Sequence, residues 1–91
     1  MDLEKIKDLI RQKPNIADNL GMDFISTPDD ETCVATMLVD SRNCQPMGLL
    51  SGGATLALAE YMAGVGSSIL CPDRACVGVN VSGSHVRSAF E

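Results

Sequence analysis

Aromatic residues are scarce in this sequence of 91 residues, which has no Trp, one Tyr and two Phe. Because large aromatic side chains supply much of the buried area of an ordinary core, the interior must be built from Leu, Val, Ile, Met and Ala. A chain of this length has room for a single small domain, residues 1–91. Such a domain buries only about 60–65% of its unfolded surface, so an added partner subunit would help to stabilise it.

Basic residues are also few, with seven Lys and Arg against twelve Asp and Glu and a formal net charge of −5. A nucleic-acid surface needs a basic stripe, which is absent, so we expect no nucleic-acid partner. The run Leu49–Leu70 is interrupted by Ser, Thr, Gly and Glu, so we expect no membrane span. The segment Met1–Lys5 does not resemble a signal peptide, and we expect a cytoplasmic protein.

Potential metal ligands are limited to four cysteines, one His and the acidic residues. The cysteines, Cys33, Cys44, Cys71 and Cys76, form no Cys-x-x-Cys pair, which disfavours zinc. Without an export signal, disulfides are disfavoured too. We expect no metal and no resident cofactor, and we interpret the cysteines as free thiols that serve mainly as small buried hydrophobes.

The first half of the chain shows clear periodicity. It predicts an amphipathic helix over residues 2–12 and a single helical turn over Ile16–Leu20. Two segments rich in β-branched residues, Met22–Thr27 and Thr32–Val39, predict an antiparallel hairpin. Pro46 and Gly48 then predict a loop.

The second half predicts one helix and one strand. The segment Ala54–Leu70 is apolar nearly all round, which is typical of a buried helix. Residues 75–89 alternate Val with small polar residues and predict a long strand. The alternation changes parity at Gly83, which predicts a β-bulge there.

Glu60 is the only charged side chain between Arg42 and Asp73. A carboxylate on an apolar helix is costly to bury unless it has partners or a task. Gly52 and Gly53 open the same helix, where the first N–H groups lack internal partners and lie at the positive end of the dipole. Such N–H groups are suited to an oxyanion hole.

The spacing of these parts matters for any joint role. Gly52 and Glu60 are eight residues apart, which is roughly 12 Å along a helix. If they act on one atom, the site is shared between two antiparallel copies of the chain. The alternative is that Gly52 and Gly53 only allow close packing and that Glu60 is a structural acid bonded to neighbouring backbone.

Three other polar residues also allow both a functional and a structural interpretation, namely Gln45, His85 and Arg87. The Gln45 amide could donate to a carbonyl or hold a water, or it could satisfy the backbone of its own loop. His85 and Arg87 could bind phosphates of a nucleotide-bearing cofactor, or they could form a solvated strand face. The serines have no His or acid at a useful spacing, which disfavours a serine nucleophile.

Several motifs resemble those of one enzyme family. They are Val39-Asp40-Ser41-Arg42, Gln45-Pro46-x-Gly48-Leu49-Leu50-x-Gly52-Gly53-Ala54, Leu58-Ala59-Glu60, Asn80 and His85-Val86-Arg87-Ser88-Ala89. Over about residues 20–91 the sequence is similar to the hotdog-fold acyl-CoA thioesterases. It looks closest to the branch that contains the dihydroxynaphthoyl-CoA thioesterase and the enterobactin proofreading thioesterase, and more distantly resembles the phenylacetate-pathway thioesterases.

The resemblance implies an α+β hotdog fold, in which a long central helix packs on an antiparallel sheet, in homodimers or homotetramers. It implies hydrolysis of an acyl-CoA, with coenzyme A as part of the substrate. Glu60 corresponds to the catalytic nucleophile or general base, and Gly52 to the N–H donor to the thioester oxygen. Gln45 corresponds to the side chain that orients the carbonyl or water from the opposite subunit. Gly78 and the four residues His85, Val86, Arg87 and Ser88 correspond to a CoA-contacting strand.

Two departures from the family pattern bear on activity. Ser51 stands where the family usually has a His that positions or polarises the thioester carbonyl, and a serine is shorter and carries no charge near neutral pH. This predicts a slower enzyme, a changed acyl preference, or a binding module without turnover. Relatives also continue with further strands past the position of Glu91, so we expect a C-terminally truncated hotdog domain or an inactive structural fragment.

Overall fold

Three helices and one two-stranded sheet make up the regular structure of residues 3–29, 31–71, 73–74 and 76–90, the residues described by the computed structural model. The elements are α1 (Leu3–Arg11), α2 (Ile16–Leu20), β1 (Met22–Asp29), β2 (Thr32–Met37) and α3 (Gly52–Leu70). The predicted order of two short helices, a hairpin and a long helix is confirmed, and the class is α+β as expected.

The core lies where α1, the hairpin and α3 meet. Its buried members are Ile6 from α1, Phe24 from β1 and Val65 from α3, with half-buried apolar side chains packed around them. Ile6 is completely buried, as its place on the apolar stripe of α1 predicts, whereas Leu9 on the same stripe is 39% exposed. The core is therefore small and aliphatic, with Phe24 and Tyr61 as a tilted ring pair 6.4 Å apart.

The hairpin pairs β1 and β2 in antiparallel register, with Met22 opposite Met37 and Phe24 opposite Ala35. β1 continues to Asp29, two residues past the predicted end. The Asp29 carboxylate accepts a hydrogen bond from the Glu31 N–H at 2.8 Å and so helps to close the turn. Asp30, between the two strands, lies outside the described residues.

Asn15 ties the three helices together. Its Oδ1 caps α2 by accepting from the Ala17 N–H at 2.9 Å, as an N-cap residue should. The same oxygen accepts from the Tyr61 hydroxyl of α3 at 3.0 Å. Its Nδ2 donates to the Ile10 carbonyl at the end of α1 at 2.7 Å. One side chain thus fixes how α1 and α2 meet the long helix.

The long helix begins at Gly52, two residues before the predicted start, and runs unbroken to Leu70. The prediction that it is buried is wrong, because only Ala54 and Val65 are buried along its length. The hairpin and α1 cover one side of α3, and an irregular segment lies along another. Within the described residues, no helix is long and apolar enough to cross a membrane.

The predicted strand over residues 75–89 is also wrong. Ala75 lies outside the described residues, and residues 76–89 contain neither helix nor strand. The bulge expected at Gly83 consequently has no ladder in which to occur. A strand requires a neighbour with which to exchange backbone hydrogen bonds, and the sheet of the described residues has only two strands, β1 and β2.

The segment 76–90, which we call the C-terminal segment, runs along α3 in the opposite direction. It places Gly78 against Glu60, Gly83 against Leu56, and His85 against Gly52. The valines of its alternating pattern remain largely uncovered, Val79 being 95% exposed. The segment therefore packs along the helix, and its end is joined to Leu49 and Leu50 by one backbone hydrogen bond and one antiparallel bridge.

None of the four cysteines is fully buried. All four are free thiols, Cys71 being exposed and Cys33, Cys44 and Cys76 half-buried. The interpretation as small buried hydrophobes holds in part for Cys33, which packs half-buried against the core, and is wrong for the exposed Cys71. No group of three or more His, Cys, Asp or Glu residues among the described ones could hold a metal ion.

Candidate active site

The start of α3 presents two unpaired backbone donors. Ser51 is the N-cap, in an extended conformation with φ −65° and ψ 132°, and its carbonyl accepts from the Ala54 N–H at 3.0 Å. Its hydroxyl makes no capping hydrogen bond. The N–H groups of Gly52 and Gly53 therefore have no hydrogen-bond partner in the described part of the chain. Both N–H groups lie at the positive end of the α3 dipole.

Asn43 fixes the position of this helix start. It is 3% exposed, and its backbone carbonyl accepts from the Ser51 N–H at 2.8 Å. Its Nδ2 donates to the Leu20 and Leu38 carbonyls at 2.9 and 2.8 Å, and its Oδ1 accepts from the Asp40 N–H at 3.1 Å. The end of α2, the end of the hairpin and the start of α3 thus converge on one residue, the first two through its side chain and the last through its backbone carbonyl.

The loop before α3 holds Gln45 by its backbone and its side chain. The Gln45 N–H donates to the Leu49 carbonyl at 2.8 Å, and its carbonyl accepts from the Gly48 N–H at 3.0 Å. The side-chain Oε1 accepts from the Met47 N–H. The interpretation that Gln45 satisfies its own loop is therefore correct for Oε1, whereas Nε2 makes no hydrogen bond within the described residues.

The imidazole of His85 lies directly over Gly52. A Cβ added to Gly52 would be 2.9 Å from His85 Cε1 and 3.1 Å from Nε2, so only glycine leaves room for the ring. The ring sits there because the Leu50 N–H donates to the Ala89 carbonyl at 2.9 Å. Leu49 and Phe90 add an antiparallel bridge beside that hydrogen bond.

These groups line one cavity of about 500 Å³, which we call the oxyanion cavity. Its lining comprises Gln45, Leu49, Leu50, Gly52, Thr55, His85, Val86, Arg87, Ser88 and Ala89. Most of the site residues predicted from the sequence are thereby brought together in one chain. The cavity contains N–H donors, an imidazole and a guanidinium but no acidic side chain, so it is suited to a carbonyl oxygen or an anion.

Ser51 does not belong to that lining. It faces a separate cavity of about 380 Å³ beside Arg42, Asn43 and Cys44. The predicted grouping of Ser51 with Gln45 and Gly52 therefore holds along the chain but not in the lining of the oxyanion cavity.

Glu60 lies in a different cavity, of about 230 Å³, which we call the carboxylate cavity. Its lining is Ala59, Glu60, Ala63, Gly64, Ser67, Cys76, Val77, Gly78, Asn80 and Val81. The Glu60 side chain is exposed and forms no hydrogen bond or ion pair with the described residues. The interpretation of Glu60 as a structural acid required a hydrogen bond to neighbouring backbone, and no such bond is present among the described residues.

Gly78 accompanies Glu60 and not the other residues of the expected CoA-contacting strand. A Cβ on Gly78 would overlap Glu60 Oε1 and lie 3.2 Å from both Cγ and Cδ of that side chain. Because His85 and its three successors line the oxyanion cavity, the grouping of Gly78 with them is not reproduced within one chain. Gly52 and Glu60, which line the two cavities, lie eight residues apart on α3, which corresponds to roughly 12 Å of helix.

Sequence reasoning missed the role of Asn43, and it quoted Asp40 and Arg42 only within a motif without predicting their ion pair. Asn43 and the ion pair of Asp40 with Arg42 lie in a polar stretch that is typical of a solvated loop. The Arg42 Nη2 is 2.6 Å from Asp40 Oδ2, and hydrogen bonds from the Arg42 side chain and backbone hold the pKa of Asp40 below its usual value. The signal that could have found them is the tendency of Asp and Asn to bond backbone N–H groups a few residues away.

Comparisons with known proteins place these observations in context. No family model matches the chain. The Pseudomonas aeruginosa protein PA1618 is 45% identical over 89 residues, which span 94% of this chain and 59% of that one. The 1,4-dihydroxy-2-naphthoyl-CoA hydrolase of Escherichia coli is 48% identical over 64 residues, spanning 68% of this chain and 46% of that one.

The fold is shared with a solved structure, a mutant of thioesterase PA1618 from Pseudomonas aeruginosa. The superposition has a TM-score of 0.76 and 34% identity, and it covers 99% of this chain and 64% of that one. The chain spans 45% to 64% of the length of the curated relatives that it matches. The resemblance seen in the motifs is confirmed, and over the part that it spans this chain is similar in sequence and in fold to proteins that are named thioesterases.

Proposed function

We propose that this chain is part of an acyl-CoA thioesterase that hydrolyses a thioester to a free acid and CoA. The similarity to a protein named 1,4-dihydroxy-2-naphthoyl-CoA hydrolase supports an acyl-CoA as the substrate class. In this reaction an oxygen derived from water bonds to the carbonyl carbon, the carbon–sulfur bond breaks, and the departing sulfur takes up a proton. The reaction requires an N–H donor to the developing oxyanion. It also requires a carboxylate that either attacks the carbonyl carbon or activates a water molecule.

The observation that carries the proposal is the division of these parts between two cavities on one helix. Gly52 and Gln45 line the oxyanion cavity, and Glu60 lies in the carboxylate cavity. One chain therefore cannot direct both at the same carbonyl group. A second copy with its α3 antiparallel to the first would bring Glu60 of one subunit to the Gly52 N–H of the other.

In this assembly each group has a distinct task. The Gly52 N–H donates to the thioester oxygen as negative charge develops on it. The free Nε2 of Gln45 holds the carbonyl or the attacking water in place. Glu60 of the other subunit attacks the carbonyl carbon directly or removes a proton from the water. The Arg87 guanidinium supplies the positive charge that the phosphates of CoA require.

The proposal is tested by thiol release from a panel of aryl and fatty acyl-CoA esters. The parent chain should release CoA, and Glu60→Ala and Glu60→Gln should lower kcat by about 100-fold or more, the usual scale for loss of a general base. Val79→Ala is the matched control on the C-terminal segment, because Val79 is 95% exposed and lines neither the oxyanion cavity nor the carboxylate cavity. A Glu60→Ala variant as active as the parent would contradict the role given to the acid.

A chain that binds CoA esters without releasing thiol would instead identify a binding module. This second candidate is favoured by Ser51, whose hydroxyl makes no capping bond and is absent from the lining of the oxyanion cavity. Under it, Ser51→His should create thiol release in an otherwise inactive chain. Isothermal titration with a non-hydrolysable CoA thioether measures the binding independently of turnover.

A further inference from the structure

The position of His85 differs from that of a residue which only contacts CoA phosphates. Its ring covers the α-carbon of Gly52, with Cε1, Nε2 and Nδ1 all within 2.9–3.2 Å of the site that a Cβ would occupy. It lies in the same cavity as Gln45. Within the described residues the imidazole forms no hydrogen bond or ion pair, so its N–H is available to a ligand.

We propose that His85 donates a hydrogen bond to the thioester carbonyl oxygen, together with the Gly52 N–H of the same chain. This inference rests on the proposed function and assigns a catalytic role within it. Neutral imidazole carries one N–H donor and protonated imidazole carries two. The ring lies beside the position that a Gly52 Cβ would take, and both residues line the oxyanion cavity, so an oxygen bound at the Gly52 N–H would share that cavity with the imidazole.

The other polar side chains of the cavity fit this role less well. The Oε1 of Gln45 is engaged by the Met47 N–H, which leaves that side chain only its amide N–H groups. Ser51, whose hydroxyl is the nearest to Gly52 in sequence, faces the neighbouring cavity. Thr55 and Ser88 line the same cavity as His85, but their hydroxyl side chains are shorter than an imidazole. Arg87 is two residues beyond His85 and carries the fork that phosphate oxygens favour. The cavity thus provides separate donors for the carbonyl and for the phosphates.

The experiment separates turnover from CoA binding in the full chain. Steady-state hydrolysis of the best acyl-CoA substrate gives kcat and KM, and inhibition by free CoA gives Ki. For His85→Ala we expect kcat to fall by about 10- to 100-fold, the lower range for loss of one oxyanion donor, with the Ki of CoA within about twofold of the parent. His85→Gln, which keeps an N–H donor, should retain more kcat than His85→Ala.

A second-site variant tests whether an imidazole at this place is what matters. Adding Ser51→His to His85→Ala should restore part of kcat, because residue 51 directly precedes Gly52. The inference is overturned if His85→Ala raises the Ki of CoA with kcat unchanged, which is the signature of a phosphate contact. It is also overturned if His85→Gln and His85→Ala lose kcat equally and Ser51→His restores nothing.

The experiment distinguishes failure of the proposed thioesterase function from failure of the role given to His85. If Glu60→Ala is inactive while His85→Ala turns over normally, the thioesterase assignment stands and the role of His85 is wrong. If the parent chain releases no thiol from any ester, the proposed function fails and the role of His85 fails with it. Circular dichroism of each variant confirms folding, and His85 is exposed, so its replacement should leave the fold intact.

Discussion

Because Gly78 has no side chain, the Glu60 carboxylate can occupy the space beside it. The two residues are 18 positions apart in sequence, yet any side chain on Gly78 would overlap Glu60 Oε1. The C-terminal segment therefore limits how far the Glu60 side chain can rotate toward that segment. The proposed catalytic group depends on a residue that carries no functional group of its own.

The first prediction follows from this contact. Gly78→Ala should displace the Glu60 carboxylate and lower kcat by at least about tenfold, since a shift of about 1 Å in a catalytic group can cost 100-fold. The free energy of unfolding should change little, because the displaced atoms are the end of a flexible side chain. Thiol release and urea denaturation measure the two effects separately.

Gly66→Ala provides the matched control for that substitution. A Cβ at Gly66 meets nothing within 4 Å, and the residue lies inside α3. Replacing a helical Gly by Ala should raise the free energy of unfolding by about 0.5–1 kcal/mol and leave kcat unchanged. If Gly78→Ala also leaves kcat unchanged, Gly78 does not position Glu60.

The second prediction concerns the buried amide of Asn43. Asn43→Ala removes the donors to the Leu20 and Leu38 carbonyls and leaves both acceptors unsatisfied. The free energy of unfolding should fall by about 1–3 kcal/mol for the buried groups that lose their partner. The variant should also lose activity where it remains folded, because its side chain no longer ties residue 43, whose backbone carbonyl accepts from the Ser51 N–H, to α2 and the hairpin.

Asn19→Ala serves as the control for Asn43. Asn19 is an exposed residue of α2, and its backbone N–H, which the substitution keeps, donates to the Asn15 carbonyl at 3.3 Å. Urea denaturation should show a change of less than about 0.5 kcal/mol for this surface substitution. Equal losses in the two variants would argue against a special role for Asn43.

The third prediction tests the shared site. Glu60→Ala and Gln45→Ala should each be nearly inactive alone, because each lacks one half of every site. When they are refolded together in equal amounts, mixed dimers should carry one intact site, and activity should recover to about one quarter of the parent for random pairing in a two-fold dimer. Absence of recovery, with mixed dimers shown by native mass spectrometry, would indicate that each chain contains its whole site.

The fourth prediction concerns acid sensitivity. Hydrogen bonds from Arg42 hold the folded-state pKa of Asp40 below its ordinary value of 3.8. A carboxyl group whose pKa is lowered by folding contributes stability that is present above the unfolded pKa and is lost as pH falls through the folded pKa. Asp40→Asn should therefore reduce stability near neutral pH and flatten its decline below about pH 4.

The effect of Asp40→Asn should be modest, because the pair with Arg42 lies at the surface, where ion pairs contribute little. Urea denaturation at several pH values measures it. The exposed pair of Arg11 with Asp8, at 3.8 Å, offers Asp8→Asn as a control with a smaller expected pH effect. A parent curve and an Asp40→Asn curve of equal slope in acid would contradict the prediction.

Local patterns predicted the elements that form by local interactions. The amphipathic stripe of α1, the turn Ile16–Leu20 and the paired β-branched segments are confirmed, because their periodicity reports short-range geometry. The placement of the two glycines at the start of the long helix and the separation between Gly52 and Glu60 also follow from the amino-acid order. Because the helical rise fixes that separation, the sequence alone already indicates that a joint role for these residues needs two copies of the chain.

Burial and long-range contacts depend on the tertiary structure. The alternation in residues 75–89 predicted a strand, yet strand formation requires a neighbouring edge, and none is paired with residues 76–89 in the described part of the chain. The apolar surface of α3 predicted burial, yet burial depends on what covers the helix. Neither condition is encoded in the segment itself.

The chemical groups of this protein are set by its amino-acid order, namely the lone acid Glu60, the donors of Gly52 and Gln45, and the motifs that resemble those of thioesterases. Which of these groups meet is set by the packing of the folded chain. That packing puts His85 over Gly52 and Gly78 against Glu60, and it supplies the lining of the two cavities from residues beyond the helix. These contacts join residues far apart in the chain, so they depend on how the C-terminal segment packs along α3 and not on any local preference.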